Sequence, residues 1–245
     1  MTVKQYLLDK IAQGTIHVAL IDPDKQTPER AGVIAGIMKK SGTDAFFIGG
    51  STGVNDDNLS QTARAVREAT GLHAILFPGG PSALSKDVDA ILFMSMMNSK
   101  NINNVVGAHV KAAPVVKRLG IEPIPMGYVI VEPGMKVGEV VEARPLKRDD
   151  IEGAVAYGLA AEMLGMSLFY LEAGSGADRP VPPEMIRAVK SAINIPLIVG
   201  GGIRTPEAAA AAREAGADVI VTGTLLERCD DEDTLRKVVK AAKGL

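Results

Sequence analysis

The sequence predicts a single (β/α)8 barrel spanning residues 1–245. Three observations lead there. Short β-branched apolar runs alternate with segments of helical period from end to end, as in a parallel sheet built from crossover units. The length of 245 residues, 47% of them hydrophobic, suits one such barrel, and no Pro/Ser-rich linker divides the chain. Late in the chain two successive strands end in glycine: Leu197–Val199 runs into Gly200-Gly-Gly202, and Asp218-Val-Ile-Val-Thr-Gly-Thr224 follows. Glycine turns after strands seven and eight are a frequent phosphate grip in this fold.

The elements follow in order. Met1–Gln13 reads as an amphipathic lead-in helix and Ile16–Ile21 as strand one, ending in Asp22-Pro-Asp-Lys25. Thr27 and Pro28 are an N-cap and a first-turn proline for a helix carrying Val33, Ile34, Ile37 and Met38. Strand two, Asp44–Ile48, enters Gly49-Gly-Ser-Thr-Gly53 and then a helix with Leu59, Ala63 and Val66. Strand three, Leu72–Phe77, leads to Pro78-Gly-Gly-Pro81, with so little chain left before strand four (Ala90–Met94) that a loop should replace the third crossover helix. After the polar run Asn98-Ser-Lys-Asn101 comes a helix with Val105, Val106, His109, Ala113 and Val116 on one side, then strand five at Pro125–Val131. Glu132–Lys147, rich in Pro, Gly and charge, is an inserted loop and a lid candidate. A helix over Asp149–Leu164, strand six over Ser167–Leu171 and a helix over Pro183–Ala192 follow; Thr205 and Pro206 open another, and Asp231–Ala242 closes the chain.

Composition narrows the function classes. A net charge of −2 gives no basic footprint, so nucleic acid is not an expected partner. No apolar run reaches membrane-spanning length and no signal pattern opens the chain, so no membrane span is expected, and the single cysteine points to a cytoplasmic protein. Cys229 has no internal partner and acidic surroundings, and is read as structural; His17, His73 and His109 lack metal-ligand spacing. A P-loop and a dinucleotide fingerprint are both absent.

The polar clusters fall just after strands, on the catalytic face of a barrel. Asp22 and Asp24 follow strand one; hard carboxylate oxygens suit Mg2+, and an Asx turn around Pro23 is the structural alternative. Ser51 ends strand two, where a hydroxyl opposite Asp22 would complete a metal–diphosphate site. Tyr170 and Glu172 share parity on strand six and should face the mouth together. A carboxylate among apolar strand residues is costly unless it has work to do, so Glu172 is read as a general base in preference to a structural ion pair. Gly174-Ser-Gly176, Gly201-Gly202 and Gly223-Thr224 converge as N–H donors around one phosphate. Phe93, Met94, Met96 and Met97 are either core filling or an adaptable lining for a long apolar ligand. Arg144, Lys147 and Arg148 are possible phosphate contacts or solvated surface, and Lys100 lacks the desolvated surroundings of a Schiff-base lysine.

Leu20-Ile-Asp-Pro-Asp-Lys25, Ile48-Gly-Gly-Ser-Thr-Gly53, Asn98-Ser-Lys-Asn101, Tyr170-Leu-Glu-Ala-Gly-Ser-Gly176, Val199-Gly-Gly-Gly-Ile-Arg204 and Thr222-Gly-Thr224 stand in this order over nearly the whole chain. Together they resemble the geranylgeranylglyceryl phosphate synthase family of prenyltransferases, archaeal type, which includes bacterial heptaprenylglyceryl phosphate relatives. The resemblance implies Mg2+-dependent joining of sn-glycerol 1-phosphate to a prenyl diphosphate, a C20 donor by preference, with release of diphosphate. It implies Asp22 and Ser51 at the Mg2+ site. It implies Tyr170, Leu171, Glu172, Ala173, Gly174, Ser175, Gly176, Gly201, Gly202, Gly223 and Thr224 at the glycerol phosphate site, with Glu172 receiving the hydroxyl proton. It implies small-molecule substrates, transient contact with a membrane surface to which the long-tailed substrate and product partition, a homo-oligomer, and a prenyl groove for which Phe93–Met97 is one candidate wall. Two other readings remain open on residues alone: a sugar-phosphate isomerase or aldolase using the same glycine loops, and a non-catalytic phosphate sensor.

Overall fold

The computed structural model describes residues 1–50, 52–225 and 231–245. Eight parallel strands close into a barrel in chain order: β1 (Ile16–Ile21), β2 (Ala45–Ile48), β3 (Ala74–Leu76), β4 (Ala90–Met96), β5 (Glu122–Ile130), β6 (Leu168–Glu172), β7 (Leu197–Gly200) and β8 (Val219–Thr222), with β8 pairing back onto β1. The helices are α1 (Val3–Ile11), α2 (Pro28–Ser41), α3 (Asp56–Thr70), α4 (Ala108–Leu119), α5 (Met135–Val140), α6 (Ile151–Met163), α7 (Pro183–Ala192), α8 (Pro206–Glu214) and α9 (Glu232–Lys243). Strand alternation sorts the apolar side chains into two cores. Val18, Phe47, Ile75, Leu92, Met126, Tyr128, Tyr170, Ile198 and Val221 fill the barrel, while Ile21, Phe46, Phe169, Val199 and Ile220 pack outward against the helices.

Local chemistry sets the boundaries. Thr27 and Thr205 accept hydrogen bonds from Arg30 N and Ala208 N, with Pro28 and Pro206 in the first turns of α2 and α8. The lead-in helix α1 belongs to the barrel's lower core: Val3 and Leu7 are buried in it, and Glu122 at the start of β5 accepts from Val3 N and Lys4 N at 2.6 and 3.0 Å. A carboxylate is well placed on those first-turn donors.

No helix separates β3 from β4 among the described residues, as the short spacing predicts. Other boundaries differ. β5 starts at Glu122 and contains Pro123 and Pro125, which lie below the first residue of β6, where no ladder donor is lost. β3 shrinks to three residues. The inserted segment carries a short helix of its own, α5. A π-helical turn over Asn103–Gly107 precedes α4, and the inward residues there are Val105, His109, Ala112 and Val116; Val106 and Ala113 face solvent, contrary to the helical face read from the sequence. Cys229 lies outside the described residues.

The three histidines stay apart. His17 is fully buried on the outer face of β1, its Nδ1 2.9 Å from Thr43 Oγ1 and its Nε2 3.0 Å from Thr222 Oγ1. Beside it, Lys243 bridges to Asp44, whose Oδ2 also accepts from His17 N. Burial, aided by Lys243, lowers the His17 pKa to about 3. A histidine held neutral stabilises the fold fully above its unfolded value, and that stability is lost as pH falls toward the folded value. The slope of urea-unfolding stability against pH is therefore expected to carry a His17 contribution of roughly 2 kcal/mol between its ordinary pKa of 6.5 and about pH 5. A His17→Gln variant should lose that contribution; a parallel slope in the variant would refute it.

Candidate active site

The upper ends of the strands enclose three connected compartments. A cradle of about 40 Å³ lies over β6–β8, lined by Tyr170, Glu172, Ser175, Gly201, Gly202, Gly223 and Thr224 among others. A cleft of about 220 Å³ opens toward β1–β5, with Asp22, Lys25, Gly50, Phe77, Tyr128 and Lys136 in its walls. An apolar groove of about 90 Å³ continues from it between the β3–β4 loop and α4, past Leu84, Phe93, His109 and Ala112. Glu172, Ser175, Leu20 and Gly223 line both cradle and cleft; Pro78, Gly79, Met94, Met96, Val140 and Val141 line both cleft and groove.

Glu172 ends β6 at 6% exposure. Its Oε1 accepts from Gly174 N at 2.6 Å and its Oε2 from the Tyr128 hydroxyl at 3.1 Å. Burial raises its pKa above the ordinary carboxylate value, opposed by the Gly174 amide and the Tyr128 and Tyr170 hydroxyls. Tyr128 and Tyr170 are register partners on β5 and β6, rings 4.9 Å apart, and Phe77 stands edge-on to both. The result is a carboxylate on a rigid aromatic floor, which can hold a proton without drifting.

Two glycines at the end of β7 are required by contact. At Gly200 a Cβ would overlap the Tyr170 hydroxyl, and at Gly201, where φ is +81°, it would overlap Glu172 Oε1. Gly174 and Gly176 also take positive φ, and Ser175 Oγ lies 2.8 Å from Thr224 Oγ1 across the cradle. Not every side chain of Tyr170–Gly176 faces in. Leu171 and Ala173 pack in the outer core, so any ligand contact they make is through backbone.

At the other wall, the Asp22 carboxylate sits against Gly50, where a Cβ would overlap it. Asp22 Oδ1 accepts from Asp24 N at 3.1 Å, so the Asx turn is present in a residue that also lines the cleft. Asp24 rests on Gly53 instead. Ser51 lies outside the described residues. Among the described residues no group of three His, Cys, Asp or Glu side chains could hold a metal unaided. One carboxylate against an open cleft still fits Mg2+, which binds through one or two protein carboxylates and takes its remaining oxygens from phosphate and water.

Phe93, Met94 and Met96 line the groove, with the Phe93 ring 4.5 Å from His109. Met97 does not: its sulfur packs over Gly127 beside Ala161 and Met166. Arg144, Lys147 and Lys100 are surface residues outside all three compartments. Arg148 donates to Glu132 O and Pro180 O and so braces the insertion. The Asn98–Asn101 run has the same kind of task. Asn98 Nδ2 donates to Ile130 O and Arg144 O, Ser99 Oγ to Val141 O, and Asn101 Nδ2 to Glu142 Oε1, stapling the end of the insertion while α5 walls the cleft.

Residues 9–242 match the model of the PcrB family. The chain belongs to that family. A relative, the geranylgeranylglyceryl phosphate synthase of Thermococcus kodakarensis, is 50% identical over 96% of this chain and 93% of its own length. That of Methanothermobacter thermautotrophicus is 49% identical over 98% of both. A crystal structure of (S)-3-O-geranylgeranylglyceryl phosphate synthase from Thermoplasma acidophilum, in complex with its substrate sn-glycerol-1-phosphate, superposes with a TM-score of 0.97 at 43% identity, covering all of both chains. Sequence reasoning missed three residues of this candidate site: Tyr128, Lys25 as a cleft wall, and Lys136.

Proposed function

We propose that the mouth of this barrel joins sn-glycerol 1-phosphate to geranylgeranyl diphosphate, forming 3-(geranylgeranyl)glyceryl phosphate and diphosphate. Family membership makes the chain a prenyltransferase of the geranylgeranylglyceryl phosphate synthase type. One observation carries the placement of the substrates: Glu172 stands in the wall common to the cradle and the cleft. The acceptor phosphate belongs in the cradle, among the backbone N–H groups of Gly201, Gly202, Gly223 and Thr224. That leaves a glycerol hydroxyl beside Glu172 and the donor in the cleft, its tail in the apolar groove. The hydroxyl oxygen then forms a bond to the allylic carbon. The bond from that carbon to the diphosphate oxygen breaks, its electron pair leaves with the diphosphate, and the hydroxyl proton passes to the Glu172 carboxylate. Two fixed substrates facing one base supply the orientation.

Asp22 would hold Mg2+, with Ser51 joining it as the family resemblance implies. When bound there, the ion would offset the negative charge gathering on the leaving diphosphate. Tyr128 and Gly174 keep the base aimed, and the walls of Phe77, Met94 and Met96 keep water from the allylic carbon. The aldolase reading finds no support, since the lysines of the cleft, Lys25 and Lys136, are 45% and 66% exposed and lack a desolvated pocket.

The test is an assay with radiolabelled sn-glycerol 1-phosphate, Mg2+ and C15, C20 or C35 prenyl diphosphates, extracting product into butanol. Extractable label with C20 preferred is expected; no label with any donor would overturn the proposal. The groove makes its own prediction. Ala108 lines it on α4, so Ala108→Phe should shorten the usable tail and move the C20-to-C15 preference by roughly tenfold toward C15. Unchanged selectivity would place the tail elsewhere.

A further inference from the structure

We propose that Lys25 and Lys136 form a two-sided cationic clamp on the diphosphate of the donor; this rests on the reading of the cleft as the donor site. The described charged residues are sorted by compartment. The cradle holds no cationic side chain among its described lining residues, and its polar groups are neutral apart from Glu172. The cleft holds two, Lys25 and Lys136, together with the carboxylates of Asp22 and Glu172. A phosphate monoester can rest on backbone donors alone. A diphosphate entering the cleft meets two carboxylates, and a single dication offsets only part of the combined negative charge. The lysines offset the rest.

Their placement is that of a clamp. Lys25 stands on the loop after β1 and Lys136 on α5, after β5; strands four places apart in an eight-stranded barrel lie across it from one another. Lys25 Nζ is 3.6 Å from Asp22 Oδ2, which puts the cation beside the carboxylate assigned to the metal. Lys136 is paired with Glu139 at 3.2 Å, both side chains largely exposed, and such a pair holds a lysine weakly. Val137 and Val140 on α5 line the same cleft, so α5 brings charge to the head of the donor and apolar surface to its tail. Lysine suits the task, because a compact charge on a flexible stem can follow an oxygen that gains electrons and moves away from carbon. The sorting also keeps the substrates apart: a diphosphate gains more in the cleft than in the cradle, and the acceptor phosphate finds its geometric fit only in the cradle.

The experiment uses the whole enzyme and its Lys25→Met, Lys136→Met and Lys136→Arg variants. Binding of inorganic diphosphate with Mg2+ is measured by calorimetry, with the cradle saturated by sn-glycerol 1-phosphate. Each methionine variant is expected to weaken diphosphate binding about tenfold and to flatten its dependence on ionic strength. The kcat should fall about 10- to 100-fold, the Kd for sn-glycerol 1-phosphate should stay within about twofold, and Lys136→Arg should retain most of the diphosphate affinity. Two results overturn the clamp: unchanged diphosphate affinity in either methionine variant, or equal losses for diphosphate and glycerol phosphate. A wild-type diphosphate affinity indifferent to Asp22→Asn would instead remove the donor-site reading, and the clamp with it.

Discussion

Glu172→Gln is expected to cut kcat roughly 10³-fold while the Kd for sn-glycerol 1-phosphate changes only a few-fold, because general-base catalysis is worth about 10² to 10⁴ and the amide keeps the side chain's size. The same Oε1 position can still accept from Gly174 N, and the Oε2 side remains beside Tyr128, so the cradle keeps its shape. What disappears is the proposed site for the hydroxyl proton. The pH profile supplies a second readout. The base must be ionised, and burial raises its pKa, so the acid limb of kcat/KM should lie above the ordinary carboxylate value of 4.5. Tyr128 lowers that pKa by donating to the ionised form, hence Tyr128→Phe should move the acid limb to higher pH without abolishing turnover. Equal losses of turnover and glycerol phosphate affinity in Glu172→Gln would make Glu172 a binding residue.

Gly201→Ala should damage both binding and stability. The backbone there has φ of +81°, which an alanine adopts only with strain, and the added methyl would overlap Glu172 Oε1 and press on the Gly174 and Ala173 amides. The carboxylate, its main-chain donor and the cradle floor would all have to shift. A stability loss of about 2–4 kcal/mol is expected, with a melting temperature several degrees lower. Glycerol phosphate affinity should fall by about 100-fold, since Gly201 itself belongs to the loop proposed to hold the phosphate on its N–H groups. Gly36 is a control on α2, where an added Cβ meets nothing within 4 Å; Gly36→Ala should be neutral or stabilising. Wild-type affinity in Gly201→Ala would show that the cradle adapts and that the phosphate does not depend on this loop.

Much of this could be seen in the sequence. Strand periodicity gave the barrel, the short Phe77–Ala90 interval gave the missing crossover helix, and parity along β6 put Tyr170 and Glu172 on one face. Parity acts within a strand. Which residue of β5 stands opposite Glu172 depends on the stagger between strands, a property of the closed barrel, so Tyr128 passed unnoticed among its apolar neighbours. Lys136 was hidden for another reason. It lies in an insertion with no period to follow, whose path is fixed by hydrogen bonds from Asn98, Ser99 and Asn101, far away in sequence. Met97 was misplaced because consecutive methionines look alike until the strand ends and the chain turns its last sulfur outward toward α6.

The absent third crossover helix has a thermodynamic consequence. In a complete barrel each stretch of sheet is roofed by the chain itself, and that roof is covalent and permanent. Here Phe93, Leu84 and Ala112 border a furrow on the flank of the sheet. On the proposed function, a prenyl tail laid into it would take the position of a missing piece of protein, and its methylenes would leave water as helix side chains would have done during folding. Under that proposal part of the hydrophobic core would be deferred until the substrate arrives, and folding and donor binding would draw on the same apolar surface.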